Sequence, residues 1–329
     1  MKIFITGGTG YLGHSLSIKL AKAGHSIQLL VRNPDSNLIP RHPNIHVFKG
    51  DIHDPAIIAR AMNGCNQVFH MAAAVKCRTK DPDEIFRTNV EGTFHVLEAA
   101  GKESVSRIVY TSTCGVIGSC IKEPMTENDP RISGFSFDYE LSKKIAEDMV
   151  MQYSLKGLDT LVASPSKIYG PGIVSSGYNV NTALRKFLKR GIAFIPAPGS
   201  YQSCFAFIDD VVNGHLLAME KGRTGEKYIL GGVNISYRDF FNLAGEISGH
   251  QGRIIQLSKK AVKGWALLQM LNQMISGSPP LFTIKAIDRL FCNYCFSSDK
   301  AIHELGYRIT PIREALQQTI HHLNNPLYA

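Results

Sequence analysis

A glycine-rich segment near the N-terminus has the spacing of a phosphate-binding turn. The segment Thr6-Gly7-Gly8-Thr9-Gly10-Tyr11-Leu12-Gly13 fits G-x-x-G-x-x-G through Gly7, Gly10 and Gly13, and G-x-G-x-x-G through Gly8, Gly10 and Gly13. The first glycine permits a tight turn, the middle one lets the backbone approach a pyrophosphate, and the last lets a helix pack close to a strand. Because the segment follows a predicted strand and opens a predicted helix, we expect Tyr11, Leu12 and these glycines to bind a dinucleotide at the helix N-terminus.

The ends of the next two predicted strands bear on the choice of dinucleotide. The second strand ends at Arg32, where an Asp or Glu would accept the ribose hydroxyls of NAD. The guanidinium of Arg32 suits the 2′-phosphate of NADP, whereas Asp35 follows a proline and resembles a turn residue. After the third strand we expect Asp51 at the adenine amino group and Ile52 against the adenine ring. NADP is therefore the predicted cofactor; NAD is the alternative, and Arg32 would then be a surface charge.

A tyrosine, a lysine and two hydroxyl residues form a second candidate for chemistry. Tyr139 and Lys143 are four residues apart, which places them on one face of a helix. A chain of this composition contains about one Tyr-x-x-x-Lys by chance, so the pair gains its meaning from its position. It follows a predicted strand that runs into Thr111, Ser112 and Thr113. Since alternate residues of a strand point to opposite faces, only one of Ser112 and Thr113 can point to a substrate.

The first half of the chain alternates short β-rich runs with longer helical patterns. The predicted strands are Lys2–Thr6, Ile27–Val31, Ile45–Lys49, Gln67–His70, Arg107–Thr111 and Thr160–Ala163. The predicted helices are Leu12–Ala23, Pro55–Met62, Asp83–Ala100 and Tyr139–Tyr153. This order predicts an α/β fold with a Rossmann-type doubly wound parallel sheet, whose strands carry the candidate residues at their carboxyl ends.

The pattern changes after Gly170-Pro171-Gly172, which indicates a second domain. We expect residues 1–170 plus 204–216 to form the dinucleotide-binding domain, and residues 171–203 plus 217–329 to form a smaller, mainly helical substrate-binding domain. A basic helix is predicted near Thr182–Arg190, and Cys204–Val212 is predicted as a strand that leads into a helix. Beyond Gly231-Gly232 we expect helices without a regular strand partner.

One predicted helix of the second domain, Ala261–Ile275, carries an apolar stripe with lysines at one end. The stripe consists of Val262, Trp265, Leu268, Leu271 and Met274, and the lysines are Lys259, Lys260 and Lys263. Such stripes usually pack into a core, which is the favoured interpretation. A helix that lies on a membrane surface has the same pattern and stays open as the alternative.

Composition bounds the class of protein. The 329 residues, 44% hydrophobic and 19% charged, are typical of a globular protein of about two domains. No apolar run reaches the roughly 18 residues that span a bilayer, and a strand pattern begins at Lys2, so we expect no integral membrane segment and a cytoplasmic location.

The seven scattered cysteines do not indicate disulfides, and Cys292-Asn293-Tyr294-Cys295 alone is a weak metal signal, so we expect no metal site. The net charge of +9 suits a phosphorylated ligand, and no basic block with interleaved aromatics indicates nucleic-acid binding.

Taken together, these motifs make the sequence resemble the extended short-chain dehydrogenase/reductases, the superfamily of the NAD-dependent epimerase/dehydratase family. Beyond the glycine-rich segment and the pair Tyr139 and Lys143, further marks extend the resemblance over nearly the whole chain. They are Gly50-Asp51, His70-Met71-Ala72-Ala73, Asn89-Val90-Glu91-Gly92-Thr93, Tyr110-Thr111-Ser112-Thr113, Gly170-Pro171-Gly172, Phe207-Ile208-Asp209-Asp210-Val211, Tyr228-Ile229-Leu230-Gly231-Gly232 and Leu305-Gly306-Tyr307. Gly214-His215-Leu216-Leu217-Ala218 and Gly225-Glu226-Lys227-Tyr228 make the chain most similar to the dihydroflavonol reductase-like group, which includes hopanoid-associated sugar epimerases.

The resemblance implies that Tyr139 exchanges a proton with the substrate oxygen. A free tyrosine has a pKa near 10, and Lys143, one helical turn away, would favour the phenolate and hold the nicotinamide ribose. Thr113 stands where the family usually has Ser and would orient the substrate carbonyl, with Ser112 as its rival. Hydride would pass directly between the nicotinamide and the substrate carbon. The expected cofactor contacts are completed by Ala72, Ala73, Thr111, Pro165 and Ile168.

Three functions are weighed on these residues. The favoured one is an NADP-dependent oxidoreductase that reduces a carbonyl of a small, apolar substrate; the alternative is an NAD-dependent nucleotide-sugar epimerase or dehydratase. Cys114-Gly115 stands where dehydratases usually have an acidic pair, Arg32 where epimerases usually have an acidic residue, and Ser164 or Ser166 where many have Arg. A non-catalytic dinucleotide sensor is disfavoured, because Tyr139 and Lys143 are both present.

The expected partners are a small-molecule substrate and a second copy of the chain. The substrate would lie among the loops Val75–Lys80, Ser133–Phe137 and Ile173–Asn181 and the C-terminal helices. The loop residues Phe135, Phe137 and Tyr178 fit either an apolar or aromatic substrate or simple packing. Helix Asp83–Ala100 carries Phe86, Val90, Phe94 and Leu97 along one stripe. In the family this helix and the Tyr-containing helix pair with their copies, which implies a homodimer; the alternative is that the stripe faces its own sheet.

Overall fold

A seven-stranded sheet organises the first half of the protein. The computed structural model describes residues 1–75, 83–121, 124–173, 179–249, 252–276 and 284–325, without the side chains of 270–276 and 284–286. The strands of this sheet are β1 (Lys2–Thr6), β2 (Ser26–Val31), β3 (Ile45–Lys49), β4 (Gln67–His70), β5 (Arg107–Thr111), β6 (Thr160–Pro165) and β10 (Lys227–Leu230). The helices that cover it include α1 (Tyr11–Lys22), α2 (Pro55–Met62), α3 (Glu84–Phe86), α4 (Gly92–Lys102), α5 (Asp138–Leu155) and α7 (Ile208–Lys221).

The strands are all parallel, in the order β10-β6-β5-β4-β1-β2-β3. The order reverses at β1, so β1 and β4 leave a crevice at their carboxyl ends, which is where doubly wound folds bind their ligands. The predicted α/β class is therefore confirmed. The six strands and three of the four helices predicted for the first half are found within two residues of their expected bounds, and the predicted helix Asp83–Ala100 is found as α3, a π-helical turn and α4.

The central strands of the sheet are buried on both faces, which explains why they are largely apolar, whereas the edge strand β3 is mostly exposed. On one face, Ile3 and Ile5 of β1 pack with side chains of α1 and α7. On the other face, Phe4 packs with side chains of α2, α4 and α5. Helix α2 begins as the sequence predicts, because the Asp54 carboxylate caps the first turn by accepting two backbone N–H bonds ahead of Pro55.

The chain then builds a second, smaller layer beside the carboxyl edge of the sheet. Its elements are β7 (Lys167–Tyr169), α6 (Val180–Arg190), β8 (Ile192–Pro196), β9 (Gln202–Phe207), β11 (Val233–Ser236), α8 (Tyr237–Ser248), β12 (Arg253–Leu257), α9 (Lys259–Ser276), α10 (Ile284–Leu290), α11 (Asp299–Leu305) and α12 (Ile312–Asn324). Aromatic rings dominate its core: Phe205 stacks on Phe240 with centroids 4.0 Å apart, and Tyr169 meets Phe240 edge to face.

The expectation that no strands follow Gly231-Gly232 is wrong. Strand β11 pairs antiparallel with β9, and β12 pairs parallel with β8. Both strands are short, and their side chains are only partly buried, so the sequence lacks the strict apolar alternation of a half-buried strand. Their partners are also distant in the chain, which a local pattern cannot reveal.

Strand β10 crosses the predicted division between the two domains. The sequence assigns residues 217–329 to the substrate-binding domain, but β10 forms an edge of the large sheet, beside β6. A division drawn on the sheet would therefore place Lys227–Leu230 with the first domain. In the described part of the chain, no helix has the length and apolar character needed to cross a membrane.

Helix α9 does not bury its predicted stripe. Val262 and Ala266 pack against Ile287 and Phe291, but the side chain of Trp265 is 44% exposed. Leu268, one turn beyond Trp265, is 65% exposed. Leu271 and Met274 belong to the part of the helix whose side chains lie outside the described residues. The favoured interpretation of this stripe as core therefore holds for Val262 and fails for Trp265 and Leu268.

Candidate active site

The glycine-rich turn between β1 and α1 forms a cradle of backbone. Gly7 has a φ of +77°, and a Cβ there would lie 2.6 Å from the backbone nitrogen of Ala72. A Cβ at Gly13 would lie 2.3 Å from the carbonyl oxygen of Gly7, so only glycine fits either place. Helix α1 begins after Gly10 without a side-chain cap among the described residues and without an acidic residue in its first turn. The N–H groups at the start of α1 therefore remain available to an anion, and the turn fits a pyrophosphate.

A chain of hydrogen bonds holds this turn against the end of β4. Thr6 Oγ1 accepts the backbone N–H of Ala72 at 3.1 Å and lies 2.7 Å from His70 Nδ1. His70 Nε2 lies 2.9 Å from Thr93 Oγ1, whose hydroxyl donates to the carbonyl of Asn89. Each hydrogen bond from Thr6 through His70 and Thr93 to Asn89 has one donor and one acceptor when the His70 proton is on Nε2. Burial, with a contribution from the charge of Lys143, lowers the pKa of His70 to about 3, so the ring is neutral.

The strands on the other side of β1 present the residues expected near the adenosine. Arg32 follows the end of β2 with its side chain exposed. The backbone N–H of Asp35 donates to Asn33 Oδ1 at 3.0 Å, which confirms that Asp35 belongs to a turn. Asp51 follows β3 and is 44% exposed at its side chain, while Ile52 is buried against Gly92.

The two rival hydroxyl residues after β5 point in different directions. Ser112 is buried, and its hydroxyl donates to Glu147 Oε2 at 2.7 Å. Thr113 is half-buried, and its Oγ1 accepts the backbone N–H of Gly115 at 3.1 Å. The hydrogen of the Ser112 hydroxyl is thus committed to Glu147, which also pairs with Lys227. The geometry favours Thr113 as the hydroxyl that faces a substrate.

Helix α5 carries the tyrosine and lysine to the same edge of the sheet. Lys143 is 1% exposed, and its Nζ donates to the carbonyl of Thr111 at 2.6 Å. The same Nζ lies 4.1 Å from the centre of the Tyr110 ring. Burial lowers the pKa of Lys143 to about 7, although the nearby Glu147 carboxylate acts in the opposite direction. Tyr139 stands one turn earlier on the helix and is half-buried.

Asn89 is a positioning residue to which the sequence motif gave no role. It lies in a π-helical turn, Arg87–Glu91, between α3 and α4. Its side-chain oxygen accepts the N–H of Ala74 at 2.7 Å, and its amide nitrogen donates to Ser142 Oγ at 2.9 Å. Ser142 in turn donates to the carbonyl of Tyr139. Asn89 therefore ties the segment after β4 to the helix that carries Tyr139, and a π turn is a known device for re-aiming such a residue.

A buried carboxylate beside Tyr139 was also missed. Glu140 is fully buried; Arg131 Nη2 donates to its Oε2 at 2.9 Å, and Arg289 of α10 donates to its Oε1. The guanidinium of Arg131 lies 4.1 Å from the centre of the Phe135 ring, and that of Arg289 lies 5.4 Å from the centre of the Phe137 ring. Both phenylalanines predicted to line a substrate are thus engaged with arginine. Only the chain's tertiary contacts bring these residues together, so no local pattern marks them.

The remaining predicted contacts lie around the same edge. Thr111 Oγ1 is 3.0 Å from His215 Nε2, so its side chain is used inside the protein. Pro165 ends β6, and Ile168 is partly buried against the cluster that includes Tyr11. Ala73 follows Ala72 after β4. Residues 76–80 and 174–178, including Tyr178, lie outside the described residues.

Tyr11 connects the phosphate turn to the second layer. Its hydroxyl donates to the carbonyl of Gly170 at 2.6 Å and accepts from Asn181 Nδ2 at 3.1 Å. Burial raises the pKa of Tyr11 above its ordinary value, so the group is a neutral phenol. Within the described ranges, no group of three or more His, Cys, Asp or Glu side chains is arranged to hold a metal ion.

The doubly wound sheet, the glycine cradle at its switch point and the tyrosine and lysine of α5 define an NAD(P)-dependent enzyme of the extended short-chain dehydrogenase/reductase class. The model of the NAD dependent epimerase/dehydratase family matches residues 3–231, and the chain belongs to that family. The resemblance identified from the motifs is therefore confirmed.

The similar proteins have several activities. Sterol demethylase protein B of Methylococcus capsulatus is 29% identical over 325 residues, which cover 97% of each chain. A 4-hydroxy-2-methyl-3-oxo-4-farnesyl-3,4-dihydroquinoline-1-oxide ketoreductase of Stigmatella aurantiaca is 29% identical over 313 residues, which cover 93% of this chain and 92% of the relative. The crystal structure of gox2253 superposes with a TM-score of 0.81 at 30% identity and covers 97% of each chain.

Proposed function

We propose that the protein is an NADP-dependent reductase that transfers hydride to the carbonyl of a small, apolar substrate. The observation that carries the choice of cofactor is Arg32, exposed at the carboxyl end of β2. No carboxylate occupies this place, and the nearby Asp35 belongs to a turn. A guanidinium at this point suits a 2′-phosphate and disfavours the bare ribose diol of NAD.

The residues after β5 and on α5 support the chemistry of carbonyl reduction. The bound dinucleotide supplies the hydride. Thr113 Oγ1 accepts from Gly115, so its own hydrogen is left to donate to a substrate carbonyl oxygen. Tyr139 then gives its phenolic proton to that oxygen as negative charge develops there. A charged Lys143 one turn away stabilises the resulting phenolate.

The cofactor contacts follow from the same arrangement. Gly7, Gly10 and Gly13 leave the backbone of Tyr11 and Leu12 open to the pyrophosphate. Asp51 and Ile52 would meet the adenine, and Ala72, which lies against Gly7, and Ala73 would meet the phosphates. Thr111, Pro165 and Ile168 would border the nicotinamide. Lys143 would hold the ribose in place of its present bond to the Thr111 carbonyl.

An apolar substrate is supported by the names of two relatives. The name of one relative includes a sterol and that of another a farnesyl ketone. Phe135 and Phe137 pack on arginines, so they do not by themselves specify an aromatic substrate.

The first test is the nucleotide content of freshly purified protein. A reductase exchanges its oxidised cofactor in every cycle, so we expect denatured protein to release little nucleotide. Added NADPH should then be consumed in proportion to an aldehyde or ketone from a panel of apolar carbonyl compounds. Near-stoichiometric bound NAD, with interconversion of a nucleotide sugar and no net loss of NADPH, would instead establish an epimerase.

The second test is the cofactor preference of Arg32→Asp. Loss of a charge-assisted hydrogen bond of about 1.5–3 kcal/mol should weaken NADPH binding about tenfold to a hundredfold and spare NADH. Arg60→Asp, which makes the same charge change on an exposed residue at the far end of α2, is the matched control. Wild-type preference for NADH, or unchanged preference in Arg32→Asp, would contradict the assignment.

A further inference from the structure

Exposed apolar side chains concentrate on one part of the second layer. Of the large apolar side chains that are exposed in the described part of the chain, a group of six comes from two short segments. They are Ile192, Phe194, Ile255, Trp265, Leu267 and Leu268. A contiguous exposed apolar surface marks a contact with another molecule, because a soluble protein otherwise covers such groups.

Strands β8 and β12 form a small sheet with one buried and one open face. Ala193 and Ile195 of β8 pack into the core of the second layer. The alternating Ile192 and Phe194 point outward, and Phe194 is 60% exposed. Ile255 pairs directly with Phe194 across the two strands and is exposed as well. The outer face is therefore an apolar strip, and β12 leads through Ser258 into helix α9.

Helix α9, which follows β12 after Ser258, carries further exposed apolar side chains. Val262 and Ala266 hold it to the protein, while Trp265 and Leu268 lie on the exposed side at a spacing of one turn. Leu267, which precedes Leu268 in the chain, is exposed as well. We call the outer face of β8 and β12 together with the exposed side of α9 the apolar ledge.

The two stretches of chain that contain the apolar ledge are basic, and the nearby Glu246, which lines a groove with Ile254 of β12, pairs with Arg313. Residues 160–208 and 247–287 each contain five Lys or Arg and no Asp or Glu. At one end of the strip, Arg253 donates its backbone N–H to Gly191, which brings it next to Arg190. At the other end, α9 begins with Lys259 and Lys260.

Asp288 is the acidic group that faces these lysines. It pairs with Lys259 and Lys263, each at 2.9 Å, and thereby leaves the charge of Lys260 uncompensated by an ion pair among the described residues. The apolar ledge therefore has cations at both ends.

We propose that the apolar ledge docks on the surface of an anionic lipid bilayer. Apolar side chains flanked by Lys and Arg bind membrane interfaces, because the rings and aliphatic groups enter the headgroup region while the cations meet lipid phosphates. Nucleic acid would use the cations but leave Phe194, Trp265 and Leu268 in water. A second copy of the chain would bring two sets of cations together, and the Asp288 carboxylate of each copy already pairs with its own Lys259 and Lys263.

Trp265 reports on this docking directly, because it is the single tryptophan of the chain. The full chain is titrated with vesicles of phosphatidylglycerol and, separately, of phosphatidylcholine. We expect the emission of Trp265 to shift to the blue and to be quenched by brominated acyl chains with phosphatidylglycerol, and the effect to weaken as salt rises. An unchanged spectrum with phosphatidylglycerol vesicles would overturn the proposal.

Matched variants separate docking from folding. Lys260→Glu and Leu268→Asp should each weaken partition onto phosphatidylglycerol vesicles by about fivefold or more in sedimentation. Lys22→Glu and Leu155→Asp make the same changes at exposed positions outside the apolar ledge and should bind as wild type; Leu155 is 90% exposed. Circular dichroism verifies that each variant is folded.

Two outcomes count against the proposal. Equal losses in the ledge and control variants would mean that only net charge matters. A change in oligomer mass of Leu268→Asp by light scattering, without vesicle binding by wild type, would assign the apolar ledge to a second copy of the chain. Neither readout depends on the reaction proposed above.

Discussion

At the scale of single residues, Tyr139 and Lys143 should separate chemistry from binding. Replacing Tyr139 with Phe removes the proton donor and leaves the ring, so kcat should fall by about 10²–10⁴ while the Kd for NADPH stays nearly unchanged. Lys143→Ala should lower both kcat and NADPH affinity, because the ammonium group serves the phenolate and the ribose. Stopped-flow turnover and fluorescence titration of NADPH give the two numbers. A Tyr139→Phe variant with a kcat near that of wild type would contradict the role of Tyr139 as proton donor.

Ser112 and Thr113 offer a test of which hydroxyl faces the substrate. Thr113→Ala should lower kcat with little change in stability. Ser112→Ala removes a buried hydrogen bond to Glu147, so it should destabilise the protein by about 1–3 kcal/mol and change kcat by less than about threefold. The kcat and the free energy of unfolding in urea are measured for both variants. A large loss of kcat in Ser112→Ala with little loss in Thr113→Ala would make Ser112 the catalytic hydroxyl.

The residues of the candidate site differ in how far the sequence could identify them. Gly7, Gly13 and Tyr139 stand out because their spacing reflects a local turn or a helix. The alternation of a strand also predicts that the Ser112 and Thr113 side chains point in opposite directions. Which of them points inward is shown by the hydrogen bond of Ser112 to Glu147, a residue of a distant helix. Glu140 and Arg289 are further apart still in the chain, and their ion pair exists only once α10 has packed against α5.

At the scale of elements, two buried histidines that brace the sheet should make its stability depend on pH. Burial lowers the pKa of His70 to about 3 and that of His215 to about 4. In the unfolded chain both histidines protonate near pH 6.5, whereas in the folded protein they stay neutral to lower pH. The free energy of unfolding is therefore highest above pH 6.5 and falls as the pH drops towards 4. Each should cost about 2 kcal/mol of unfolding free energy at pH 5, or about 1.4 kcal/mol per pH unit below 6.5.

Urea unfolding at pH 7.5 and pH 5 checks this dependence. His215→Gln should be less stable than wild type at pH 7.5, because the bond to Thr111 is altered, yet lose less between the two pH values. His46→Gln, at an exposed histidine of β3, should retain the wild-type difference. Equal pH dependence in His215→Gln and wild type would show that His215 is not the titrating group.

The helices and strands could be predicted where burial gives the apolar residues a regular spacing along the chain. Strands β1, β2 and β6 are largely apolar and almost wholly buried, so propensity and packing agree, whereas β3 was predicted although three of its five residues are exposed. Strands β11 and β12 and the π turn Arg87–Glu91 were not predictable, because partly buried strands and a single added residue in a helix leave no distinct period.

At the scale of the whole molecule, we predict a homodimer through α4 and α5. Phe94 of α4 and Ile145 of α5 are exposed, whereas Phe86 and Val90 are half-buried and Leu97 faces its own core. Light scattering at micromolar concentration should give twice the chain mass of 36.3 kDa. Phe94→Asp should give a monomer, and Ile302→Asp, at another exposed apolar position, should stay dimeric. A monomeric wild type would mean that the exposed part of the stripe serves no dimer.

The pairing of β10 with β6 also has a consequence for how the chain is made. Every residue of the second layer up to Gly225 must emerge from the ribosome before β10 can close that side of the large sheet. Until Leu230 has emerged, β6 is an open edge with unpaired backbone groups and an apolar sequence, the kind of edge on which nascent chains aggregate. Protein synthesis that stalls between Ile168 and Lys227 would therefore release a fragment that contains every proposed dinucleotide contact but whose sheet cannot be closed at β6.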